Sequence, residues 1–343
     1  MKHLLNTLYV TTQGAYLARE GETVLVKVDG EIKLQLPIHT LGGVVCFGQV
    51  SMSPALMGLC AERGVGVSFL TERGRFVARI QGPVSGNVLL RREQYRRADS
   101  EKASAEIASA MVIAKIANCR AVLLRTVRNR SDDAASAEVA NAAEDLATHI
   151  KALKDESTLD TVRGKEGDAA RQYFGVFDHL ITAQKEDFFF RERSRRPPLD
   201  NVNALLSFLY TLLVHDMTSA LEGVGLDPAV GFLHRDRPGR PGLALDMMEE
   251  LRPYFADRLA LNLINLQRIK GKGFHKTESG AVEMDDEIRK AVLVAYQERK
   301  QEEIVHPFLG EKVSMGLLPH CQALLMARYL RGDLEGYPPF LWR

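Results

Sequence analysis

The sequence predicts an α+β protein: a small N-terminal antiparallel β domain over residues 1–85, a linker at 86–98 and a larger all-α C-terminal domain over 99–343. Three observations predict it. Apolar and polar residues alternate with period two in the first part of the chain. The Gly82-Pro83 and Gly86 punctuation ends that pattern. From Leu89 to Arg130 there is then neither Gly nor Pro, and the apolar positions recur at helical spacing.

The strands come first. Thr23–Val28 and Glu31–Leu36 flank Asp29-Gly30, the strongest short-range hairpin signal. Val65–Leu70 and Arg75–Ile80 read as a second pair turning at Arg73-Gly74. Between the pairs, Ser53-Pro54 opens a short helix that ends near Gly64, with Ser as N-cap and Pro at the first position. Further helices are predicted at 134–154, 165–184, 200–221, 241–269, 285–305 and 316–331.

Composition bounds the function. Forty-five Lys and Arg against forty-four Asp and Glu leave a net charge of +1, which excludes a uniformly basic coat. The neutrality is a cancellation. Residues 91–130 hold ten basic and four acidic side chains, and residues 131–160 hold two basic and eight acidic. The four cysteines form no Cys-x-x-Cys pair, which argues against a zinc ribbon and for a reducing, cytoplasmic setting. The first seven residues lack a signal-peptide core. Val202–Val214 reads as a buried helix too short for a membrane span.

Four features carry candidate chemistry. Glu166 precedes Ala170, Tyr173 and Phe177 by four, seven and eleven residues, which puts it on the inward stripe of a helix. Its plainer reading is a first-turn Glu favoured by the helix dipole. His234 stands before a Pro/Gly-broken, Arg-rich loop and reads either as a structural His or as a ligand. Asp246, Glu249 and Glu250, at i, i+3 and i+4, share one helix face, either solvated or gathered on a cation. Carboxylates with an imidazole suit Mg2+ or Mn2+, which serve phosphoryl chemistry. No His-Glu-x-x-His favours a zinc hydrolase.

Basic clusters point to the same chemistry. Arg91, Arg92, Arg96 and Arg97 lie at the junction, Arg193, Arg195 and Arg196 precede Pro197-Pro198, and Arg235, Arg237 and Arg240 flank the His loop. Arginine forks match phosphate oxygens, although any one cluster is as readily a solvated face. Gly271-Lys272-Gly273 departs from the P-loop pattern and reads as a flexible surface loop.

At these residues the chain resembles the CRISPR-associated integrase of spacer acquisition, the Cas-one adaptation nuclease, of the subtype I-C lineage. The anchors are Tyr9–Gly14, Gly164-Lys165-Glu166-Gly167, Asp200–Leu206, the His234 loop, Leu245–Pro253 and Gly316–Pro319. The resemblance implies a β domain followed by a helical domain that carries a divalent metal site. By its motifs the ligands are Glu166, His234 and Glu249. Asp246 supports them, and Glu250 is the neighbouring alternative. The implied reaction is attack by the 3′-hydroxyl of a captured fragment on a phosphodiester of a CRISPR array. The implied partners are double-stranded DNA, a second copy of the chain and a small ferredoxin-like protein, "Cas-two", with no membrane. A non-catalytic nucleic-acid scaffold or a metal phosphohydrolase of small substrates are the alternatives.

Overall fold

The computed structural model describes residues 6–72, 76–80, 82, 88–128, 134–153 and 158–342. The expected turn at Arg73-Gly74, the punctuation at Pro83 and Gly86, and Arg130 lie outside these residues. The chain forms two compact units. One comprises Met1–Ser85 with Arg289–Glu302, the other Gly86–Ile288 with Glu303–Arg343.

The first unit contains β1 (Thr7–Val10), β2 (Tyr16–Glu20), β3 (Thr23–Val28), β4 (Glu31–Pro37), β5 (Gly43–Phe47), β6 (Ser51–Met52), α1 (Pro54–Glu62), β7 (Gly66–Leu70) and β8 (Phe76–Ile80). They build two four-stranded sheets, ordered β1-β5-β7-β8 and β4-β3-β2-β6. Asp29 and Gly30 have φ of 51° and 80°, as a type I′ hairpin turn requires. The Ser53 hydroxyl accepts from Leu56 N at 3.2 Å and caps α1. Leu17, Val24, Val44, Cys46, Leu56 and Cys60 make the core.

The expected antiparallel domain is a mixed one. β1 runs parallel to β5, β5 to β7, and β2 to β6. Hairpin turns mark antiparallel neighbours in the sequence. Parallel neighbours are joined by crossovers, here α1 between β5 and β7, and leave no turn signal.

The second unit is mainly helical: α2 (Val88–Asp99), α3 (Glu101–Arg128), α4 (Ala134–Ala152), α5 (Leu159–Gly175), α6 (Asn201–Val224), α7 (Gly242–Met248), a π-helix at Pro253–Asp257, and α8 (Arg258–Asn265). Then follow β9 (Phe274–Lys276), β10 (Val282–Met284), α9 (Asp286–Gln301), which passes into the first unit at Arg289, and, back in the second, β11 (Glu303–Val305), β12 (Lys312–Ser314) and α10 (Leu318–Leu330). The region expected to be all-α therefore carries two short hairpins.

Three other expectations need correcting. The proposed linker is α2, docked by Gln94, whose amide donates to Asp227 O and Val230 O at 2.8 Å. The uninterrupted stretch from Leu89 breaks after Asp99, because the Ser100 hydroxyl caps a new helix at Ala103 N. The C-terminal region is also not continuous to 343. Residues 289–302 of α9 belong to the first unit, where Gln297 Nε2 donates to Thr7 O at 3.3 Å.

Gly271 and Gly273 are buried rather than loose. A Cβ at Gly271 would meet the Asp187 side chain at 2.2 Å, and one at Gly273 would meet Ile288 at 2.2 Å. By length and apolarity α3 and α6 could each cross a membrane. Both bury their apolar residues inside this unit, Ile107, Met111, Val122 and Leu123 on α3 and Leu205, Leu209 and Leu213 on α6.

Candidate active site

Helix α5 begins six residues earlier than its sequence suggests, because the Thr158 hydroxyl accepts from Thr161 N at 3.2 Å. Glu166 therefore stands two turns inside the helix, and the first-turn dipole reading fails. Its side chain is 26% exposed and meets the Lys115 ammonium of α3 in an ion pair. Lys115 also reaches Glu249 Oε2 at 2.7 Å.

His234 is fixed by Asp246. One Asp246 oxygen accepts from Phe232 N at 2.6 Å and Leu233 N at 2.9 Å. The other accepts from His234 N at 3.0 Å and from His234 Nδ1 at 2.5 Å. Asp246 is fully buried and spends both oxygens on the loop. Through Nδ1 it orients the imidazole, which leaves the other ring nitrogen, Nε2, outside this bond. His234, Tyr95, Arg163 and Arg235 line a cavity of about 280 Å³.

Two glycines permit this cradle. A Cβ at Gly231 would stand 2.6 Å from Asp246 Oδ2 and 2.7 Å from Gly242 C. At Gly242 it would meet Ala229 O at 2.6 Å. Gly231→Ala is expected to cost about 1–3 kcal/mol, the range for overpacking a closed site, and to loosen His234 with it. Chemical denaturation measures the first effect. An unchanged midpoint would show that the loop yields freely.

The three acids at 246, 249 and 250 do not share one surface. α7 ends at Met248, but Glu249 keeps helical angles, φ −56° and ψ −40°. Successive side chains there diverge by about 100°. Asp246 turns to the His loop. Glu249 turns to Lys115 and to Arg252, which donates to its Oε1. Glu250 turns away and accepts from Gln322 Nε2 at 3.0 Å, Tyr337 OH at 2.6 Å and Phe340 N at 2.7 Å. All three are buried, so the solvated-face reading fails. Burial pushes the Glu250 carboxyl up to about 7. Burial also pushes Glu249 up, but Arg252 and Lys115 outweigh it and bring that carboxyl down to about 2.

Arg252 leads into a polar interior. Arg252 and Arg193 both stack on the Tyr210 ring, 4.8 and 5.4 Å from its centre. Tyr210 donates to Asp257 at 2.6 Å and Tyr173 donates to the same carboxylate at 3.1 Å. Asp257 closes the π-helix, a distortion often found at functional sites. Burial raises its carboxyl to about 6 against those two bonds.

Two carboxylates and an imidazole are a donor set for a hard divalent cation. Glu249 Oε2 supports the fit. It is buried, and its close partner is the Lys115 ammonium at 2.7 Å, a cation where a metal ion would sit. As they stand, no three His, Cys, Asp or Glu side chains among the described residues are close enough to hold an ion. Lys115 lies across the two carboxylates instead.

The ten singled-out arginines divide. Arg91 donates to Gly225 O at 3.1 Å, and Arg97 donates to Tyr329 OH at 2.8 Å. Arg193 points inward, bonded to Asn203 Oδ1 at 2.6 Å and Ser207 Oγ at 3.2 Å, and so offers no outward fork. Arg96 pairs with Glu93 at 3.4 Å, Arg235 pairs with Asp160 at 3.5 Å, and Arg92 is exposed. Arg195, Arg196, Arg237 and Arg240 gather beside the His loop. Burial first, and then Arg237, Arg196 and Arg195, lower the affinity of Arg240 for its proton. Arg237→Ala with Arg240→Ala is expected to reduce the slope of log K against log salt for duplex DNA by about 2. Binding titrations across a salt series measure it.

Lys115, Arg252, Tyr210 and Asp257 were not among the sequence candidates. A lysine inside Met111–Ile116, an otherwise apolar run, was the available signal for the first.

The sequence and the fold have counterparts in known proteins. Residues 8–298 match the family model "CRISPR associated protein Cas1". The chain is 57% identical over 343 residues, all of both chains, to "CRISPR-associated endonuclease Cas1 1" of Chlorobaculum tepidum. It is 53% identical over 347 residues, again all of both chains, to "CRISPR-associated endonuclease Cas1 2" of Rhodospirillum rubrum. A solved Cas1 protein from Thermotoga maritima shares the fold with a TM-score of 0.81, at 23% identity, over 95% of this chain and 97% of that one.

Proposed function

The chain belongs to the Cas1 family of CRISPR-associated proteins, and from that premise we propose that it is the metal-dependent DNA endonuclease and integrase that inserts captured fragments into a CRISPR array. The observation that carries the reading is the placement of Glu166 and Glu249 on one shared cation, beside a histidine oriented by a buried carboxylate.

Glu166, Glu249 and the Nε2 of His234 would hold Mg2+ or Mn2+. When bound, that ion supplies Lewis-acid polarisation of a phosphodiester and stabilises charge on its oxygens. The chain's own groups do the rest. Asp246 holds the Nδ1 proton of His234, which keeps Nε2 free as a donor. Arg252 holds one Glu249 oxygen and leaves the other for the cation. Arg195, Arg196, Arg237 and Arg240 attract the phosphate backbone to the mouth of the site. Glu250, turned toward Tyr337 and Phe340, has no part in ligation.

The partners in this reading are double-stranded DNA, a second copy of the chain and a small ferredoxin-like protein, Cas2. The exposed apolar edge of β4, with Ile32 53% and Leu34 39% exposed, supports pairing between copies. The free, buried Cys46, Cys60 and Cys119 support a reducing, cytoplasmic setting. The subtype I-C lineage rests on the sequence anchors and is tested by the genes that flank the coding sequence.

The deciding experiment mixes the purified protein with its partner, a DNA fragment, Mg2+ or Mn2+ and a supercoiled plasmid bearing a repeat array. Metal-dependent joining of the fragment to the array is expected. DNA binding without such joining would favour the scaffold. Phosphoester hydrolysis confined to small substrates would favour the phosphohydrolase.

A further inference from the structure

We propose that Lys115 is a built-in counter-cation of the metal-free site, and that metal loading is an exchange in which its ammonium leaves Glu166 and Glu249. This inference rests on the reading of those two residues as ligands.

Lys115 is 8% exposed and sits in an apolar stretch of α3. A buried ammonium is costly unless it is paired. Its partners come from two separate elements, Glu166 within α5 and Glu249 just after α7. Without a cation between them, the two carboxylates would repel across a largely dry space. Lys115 removes that repulsion, so the two carboxylates are already held together before any metal arrives.

The same pair serves a divalent ion, and two cations cannot both occupy it. Which of the neighbouring cations yields follows from their bonds. Arg252 is anchored twice, on Glu249 Oε1 and on the Tyr210 ring. Among the described residues Lys115 touches only the two carboxylates, Glu166 and Glu249 Oε2. Its four-carbon stem rotates freely where a guanidinium fork would not. Glu249 is thus divided, with one oxygen fixed by Arg252 and the other lent to Lys115. The ammonium keeps the ligands in place at the expense of metal affinity.

The test uses full-length protein and Mn2+ alone. Dissociation constants come from the spin-resonance signal of free Mn2+, and melting is followed with chelator and with Mn2+. Lys115→Met is expected to melt lower than wild type in chelator. It should bind Mn2+ about tenfold or more tightly and gain more melting temperature from it. Lys115→Arg, whose fork grips both carboxylates, is expected to bind Mn2+ no better than wild type. Lys165→Met removes a nearby positive charge outside the carboxylate pair and controls for general electrostatics. Its affinity should stay within about twofold of wild type.

A folded Lys115→Met protein with wild-type or weaker Mn2+ affinity would overturn the exchange. So would a Lys165→Met protein that gains as much as Lys115→Met. Glu166→Gln separates this from the underlying reading. Undiminished Mn2+ binding in Glu166→Gln would remove the metal site itself, whatever Lys115 does. Absence of Mn2+ binding in every protein would remove both.

Discussion

Glu166→Gln protein, given its partner, Mn2+ and array plasmid, is expected to join fragments about 100- to 10,000-fold more slowly than wild type. That range corresponds to losing roughly 3–5 kcal/mol of metal-borne stabilisation in the transition state. The substitution keeps the side chain's size, and Glu166 is partly open to solvent, so the fold should survive. Melting within a few degrees of wild type would establish that the loss is chemical. Glu249→Gln is a poorer probe, because it also strips the largely buried Arg252 and Lys115 of their shared carboxylate. Joining at the wild-type rate by Glu166→Gln protein would remove this carboxylate from the reaction.

The largest expected stability loss belongs to Asp246→Ala. Its two buried oxygens satisfy three backbone N–H groups and one imidazole N–H. Truncation leaves all four donors without a partner in the interior. The expected cost is about 3–5 kcal/mol. For a helical unit of this size that is a fall in melting temperature of roughly 10 °C. Asp246→Asn should not rescue it, since its amide would face donors with another donor. Metal affinity should fall as well, by about 10- to 100-fold, because His234 loses its orientation. Calorimetry reads the first effect and Mn2+ titration the second. Wild-type melting of Asp246→Ala would mean that the loop is held by other bonds.

How far the sequence carried the structure depends on whether each feature is local. The Asp29-Gly30 turn and the Ser53-Pro54 cap are written in adjacent residues, and both formed as expected. The parallel sheet pairings are not local, and the period-two pattern is silent about them. Glu166 is legible from its spacing to Ala170, Tyr173 and Phe177, and His234 from the Arg-rich, Pro/Gly-broken loop that follows it. The start of α5 lies at Leu159 rather than 165 because the Thr158 side chain supplies the cap. The acidic trio was read as one face from its spacing alone. The termination of α7 and the pull of Tyr337 and Phe340 on Glu250 lie far along the chain. Lys115 was overlooked for the same reason, since nothing beside it in sequence shows that two carboxylates converge on it.

The Glu250 network has a consequence for how the molecule comes to be. Asn118 donates both to Glu250 O, 132 residues away, and to Phe340 O, 222 residues away. Glu250 is the immediate neighbour of Glu249, so residues 337–342 buttress the backbone that carries the proposed ligand. Contacts of such long sequence separation are slow to form, because loop-closure entropy is lost before they return any stabilisation. Residues 337–342 thus brace the centre from the far side of Glu250.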